Sequence, residues 1–67
     1  MNLSFHHVGV ACQDLDAETK RFAALGYAIE GVDFTDSVQG VCGRFLIGGG
    51  PRVELLRPLK ADGFLTP

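Results

Sequence analysis

The sequence holds only two cysteines, three prolines and no apolar run near the roughly 20 residues that cross a bilayer. Two cysteines set in strand-like sequence are too few for a secreted disulfide framework. Cys12 and Cys42 therefore read as free thiols in a reducing cytoplasm, with a bridge between them as the minor alternative. Neither has a neighbouring base or a Cys-x-x-Cys spacing, which argues against a nucleophilic role. A block of one charge sign is missing too. The net charge is −2, the pI is about 5.4, and the basic residues are scattered apart from Lys20 and Arg21. Bulk electrostatics thus point neither to nucleic acid nor to an anionic membrane. The opening "MNLSFHH" has no charged region leading into a long apolar one, so it does not read as a secretory signal. There is no internal repeat and no low-complexity segment.

What is present is a short, strongly apolar chain of 67 residues, 46% of them hydrophobic. A domain of this size buries only about 60% of the surface its unfolded chain exposes. Apolar residues left over imply a partner, so residues 1–67 read as one module that oligomerises or belongs to a larger domain. "LSFHHVGVA" reads as a strand, with Phe5, His7, Gly9 and Ala11 on one face and His6, Val8 and Val10 on the other. Asp14 or Asp16 can cap a helix running from about Leu15 to Leu25, with Gly26 as its left-handed stop. "YAIEGVDFTD" reads as a second strand broken or bulged at Gly31, and "VCGRFLIG" as a third in which Gly43 marks a bulge or a close approach. "GGGP" is a turn. It precedes a strand rather than a helix, so it lacks the dipole of a phosphate cradle. "RVELLRPL" is the fourth strand, stopped by Pro58. The order is β-α-β-β-β, an α+β arrangement. The tail "KADGFLTP" has no periodicity yet carries Phe64 and Leu65, which again points to further chain or a partner.

Alternation in the last strand places Val53 and Leu55 on one face and Arg52, Glu54 and Leu56 on the other. If the helix covers Val8, Val10, Val53 and Leu55, then His7 and Glu54 share the opposite face. An imidazole and a carboxylate there are half of a mixed nitrogen and oxygen metal site, suited to zinc, nickel, cobalt, manganese or ferrous iron. A two-fold copy would supply the other half. The plainer reading stays open: strand histidines are commonly hydrogen-bonded, and Glu54 can pair with Arg44, Arg52 or Arg57.

"HHVGVACQDLDAETKRFAALGY" and "GPRVELLRPL" resemble the opening and closing segments of a module of the vicinal oxygen chelate superfamily, the glyoxalase/bleomycin-resistance group. The likeness spans about residues 5–59, and "VQGVCGRFL" with "VELLRPL" is most similar to methylmalonyl-CoA epimerases. The resemblance implies one βαβββ module, half of a two-module domain, with its sheet forming a concave cup and its helix outside. It implies that His7 and Glu54 are ligands of a divalent metal and that His6 is structural or exposed. It also implies a homodimer, or a second module from further chain, and a small carbonyl or acyl-CoA substrate that loses a proton next to its carbonyl. "GVCGRF" contains no acid where some epimerases place a base. Glu54 and Glu30 are then the candidate proton acceptors, with Asp33 beside them, and Arg44 is a candidate cation for an acidic substrate. The same group also implies two alternatives, a bleomycin-resistance-like binding cup and an inert half-domain.

Overall fold

The computed structural model describes residues 7–59. The expectations placed on Phe5, His6, Phe64 and Leu65 lie outside them. The elements are β1 (His7–Ala11), α1 (Leu15–Ala23), β2 (Ala28–Asp36), β3 (Val41–Ile47) and β4 (Arg52–Pro58). They form one sheet in the order β1-β4-β3-β2, in which β1 runs parallel to β4 and the other pairs are antiparallel. This is the expected βαβββ module.

The helix starts where its first N–H groups find an acceptor. Of the two candidate caps, Asp14 is the one used: its side chain accepts from Asp16 N at 3.0 Å and from Ala17 N at 3.1 Å. Asp16 and Glu18 then stand in the positive first turn, and Lys20 and Arg21 in the last. The helix ends at Ala23, slightly before the expected Leu25, and turns through Gly26 at φ 96°.

One side of the sheet faces α1, and there the core forms. Leu46 and Leu55 are fully buried, with Leu15, Cys42 and Val53 around them and Val10, Cys12, Phe22 and Tyr27 packed at the margin. Val8 and Ile29 share that face by register but remain about half exposed. A nine-residue helix is only about 13–14 Å long, and it packs across β2, β3 and β4 but not against β1. Tyr27 closes the lower edge, packing edge-on against Phe22 at 5.4 Å and donating its hydroxyl to Pro51 O at 2.6 Å.

The bulge expected at Gly31 is present and large. From Glu30 to Phe34 β2 advances four residues while β3 advances two, from Phe45 to Gly43. Gly31, Val32 and Asp33 therefore stand against the single residue Arg44. Two extra residues leave the alternation of β2 in phase on both sides of the bulge. The close approach expected at Gly43 is also found. A Cβ there would run into the Phe34 ring and come within 2.9 Å of the Leu55 carbonyl oxygen.

The two cysteines are free. Both lie on the helix side, and the register puts Arg57 of β4 between them, which is too wide a gap for a disulfide. Burial, with Glu18 nearby, pushes the Cys12 thiol above its ordinary value. Among the described residues, no helix is long and apolar enough to cross a membrane.

Candidate functional site

The helix-free face is assembled by register. Glu30, Phe45, Glu54 and Gly9 form one row across all four strands, and His7 stands opposite Arg52 in the neighbouring row. Positions 7 and 54 thus lie on adjacent strands and share a face, one same-side step apart.

Around them the face carries a connected polar and aromatic layer. Arg52 donates from Nε to Glu30 Oε1 at 2.7 Å, with both side chains about 40% exposed. Its guanidinium lies 4.1 Å from the centre of the Phe45 ring, a cation–π contact. Phe45 in turn meets Phe34 at 5.5 Å. Phe34 can lie flat over the sheet because Gly43 beneath it has no side chain. Gly9, beside Glu54, has nothing within 4 Å of where its Cβ would be, among the described residues.

Arg44 belongs to the other side. Its register partner is Leu55, and its guanidinium faces the helix start. It donates to both oxygens of Asp33 at 2.8 Å, to Asp16 Oδ1 at 2.9 Å and to Thr19 Oγ1 at 2.9 Å. The hydrogen bonds and charge of Arg44 hold the Asp33 carboxyl below its ordinary value, and the same carboxylate pushes Arg44 further above its own. An open groove of about 370 Å³ adjoins it, lined by Gln13, Asp14, Leu15, Asp16, Arg44 and Arg57. The charges of that groove are largely engaged: Asp14 caps the helix, Asp16 holds Arg44, and Arg57 donates to Pro58 O at 3.0 Å.

The structure therefore brings Glu30 to the face of Glu54 and His7 and sets Arg44 apart from it. Among the described residues, no three His, Cys, Asp or Glu side chains gather as a metal-binding group. Sequence reasoning put Arg52 on the correct face but missed its pairing with Glu30, which depends on the size of the bulge. The open space at Gly9 was missed too, since a glycine within a strand has many possible meanings.

With this geometry in view, the family can be stated. Residues 6–66 match the model of the Glyoxalase/Bleomycin resistance protein/Dioxygenase superfamily, and the chain belongs to that superfamily. The match is to the superfamily as a whole and does not extend to the epimerase subtype. No curated protein matches the chain by sequence.

Proposed function

We propose that the chain is one half of a metal-dependent centre acting on a small carbonyl compound or acyl thioester, completed by a second βαβββ module, most simply another copy. The observation that carries this reading is the parallel register of β1 and β4, which sets His7 and Glu54 on one face of neighbouring strands. One imidazole and one carboxylate per module suit a divalent ion of the zinc, nickel, cobalt, manganese or iron(II) group. Two donors are too few alone, and a two-fold copy makes four. When bound, such an ion polarises a carbonyl oxygen and acidifies the adjacent C–H.

The chain's own residues supply the rest. His7 and Glu54 hold the ion, and Glu30 is the second carboxylate on that face, positioned by the Arg52 hydrogen bond. Glu30 is thus the proton acceptor the site offers, with Glu54 in that role only where it is not committed to the ion. Phe34 and Phe45 give the face an apolar floor. That floor also favours a second reading, a cup that sequesters a small molecule without catalysis.

Elemental analysis of the gently purified protein, together with its mass in solution, tests the first reading. One metal per dimer, lost in His7→Ala and in Glu54→Ala, is the expected result. A metal-free monomer overturns it, while a metal-free dimer supports the sequestering cup. Exchange of the alpha proton of an acyl-CoA with solvent deuterium then tests the epimerase-type chemistry.

A further inference from the structure

Glu30 and Phe34 share the helix-free face but lie four residues apart in β2, so ordinary alternation would set Val32 between them. The bulge takes Val32 out. Glu30 stands opposite Phe45 and Phe34 opposite Gly43, in adjacent rows of the face. Regular pairing continued from the β2–β3 turn would instead put Val32 opposite Phe45 and Glu30 opposite Ile47. Continued from the start of β2, it would put Val32 opposite Gly43 and Phe34 opposite Val41. Either way Glu30 and Phe34 would be parted.

A bulge disrupts the ladder, and this one gains little from burial, since Val32 is 86% exposed. What holds it lies on the other side of the sheet. Both oxygens of Asp33 accept from Arg44 at 2.8 Å, a bidentate fork. Arg44 is fixed in turn by α1. Thr19 donates its own proton to Leu15 O at 2.6 Å, which leaves Oγ1 to accept from Arg44 Nη1 at 2.9 Å. The guanidinium thus ties the bulge to the helix, behind the strands whose front carries Glu30 and Phe34.

We propose that Arg44 is a positioning residue for the helix-free face, acting through the sheet. By holding Asp33 it keeps the bulge at two extra residues and Val32 off the face. Glu30 is thereby seated opposite Phe45, within reach of Arg52, and the Phe34 ring over Gly43. The use of Glu30 as a proton acceptor rests on the function proposed above; its seating does not.

The test is nuclear magnetic resonance on the whole chain without metal or substrate, so that function can fail while this result stands. Two nuclear Overhauser contacts are read: Glu30 to Phe45 across the backbone, and the Phe34 ring to the Gly43 α-protons. Wild type should show both. Regular pairing keeps one of them at most and brings the Val32 methyl groups to Gly43 or Phe45. Asp33→Ala and Arg44→Leu should each lose intensity in one of the two contacts and gain the Val32 contact. Asp33→Ala alters a side chain that is 44% exposed, and it decides the matter if Arg44→Leu does not fold. Asp14→Ala is the control, because it weakens the helix start without touching the bulge, and it should keep both contacts. Both contacts at full strength in Asp33→Ala overturn the proposal, as does a wild type that lacks either. Their loss in Asp14→Ala also overturns it, since the face would then respond to any loss of stability.

Discussion

Arg44 donates hydrogen bonds to Asp33, Asp16 and Thr19, residues drawn from β2 and α1. Its side chain is only 12% exposed, whereas Asp16 is 82% exposed, so the Asp16 arm contributes little and the Asp33 and Thr19 arms matter more. Arg44→Leu should destabilise the protein by about 1–3 kcal/mol in urea denaturation, because Asp33 and Thr19 lose their donor. The Asp33 carboxyl lies below its ordinary 3.8 when folded, so its contribution is present above that value and fades as pH falls through the folded one. The stability difference between wild type and Asp33→Asn should accordingly be seen at neutral pH and shrink below pH 3.8. A difference that grows on acidification would contradict the assignment. Gly43→Ala is the sharper steric test. The Phe34 ring can swing away, but the Leu55 carbonyl at 2.9 Å belongs to the sheet backbone and cannot. A loss of about 1–3 kcal/mol is expected in the same measurement.

At the scale of the elements, the helix start depends on a single carboxylate. Asp14→Ala strips the acceptor from two N–H groups and should cost about 1 kcal/mol, read as a lower melting temperature and less helical circular dichroism. The elements themselves were largely legible in the sequence. Alternation in "RVELLRPL" separated Val53 and Leu55 from Glu54, and the structure buries the first two against the helix. Gly31 announced the bulge. Its length was not legible, because one extra residue and two extra residues look alike in sequence while differing in which face follows. With two, Phe34 joins Phe45 on the helix-free face; with one, it would have joined the core. The partners of Glu30 and Arg44 were hidden for the same reason. His7 and Glu54 were legible as positions on one face, since no bulge interrupts β1 or β4. The joint role proposed for them rests on a second module, whose residues the pattern of one module does not give.

The whole molecule is a sheet half covered. Leu25, Val32 and Val38 are 66%, 86% and 94% exposed, and Val8, Ile29 and Ile47 remain partly open as well. Apolar surface of this extent on so small a body is the kind that burial against a partner would stabilise. If two copies build the centre, the melting temperature should rise with protein concentration, by mass action between folded pairs and unfolded chains. A melting temperature that is flat across a hundredfold range of concentration, about 3 kcal/mol in mass-action terms, would mean that the module stands alone.

The parallel pairing of β1 with β4 has a consequence for how the chain folds. Strands β2, β3 and β4 are joined by short turns and can zip together through local contacts. β1 has no partner until residues 52–56 are in place. Closing that long loop is the slow, entropically costly step, so the first strand docks late in folding. It would also be the first to leave when the sheet opens, and His7 travels with it. Any ligand that bridges His7 and Glu54 therefore acts as a clasp on the last-formed contact, and amide hydrogen exchange across β1 should slow when zinc is added while that of the β2–β3 hairpin barely changes.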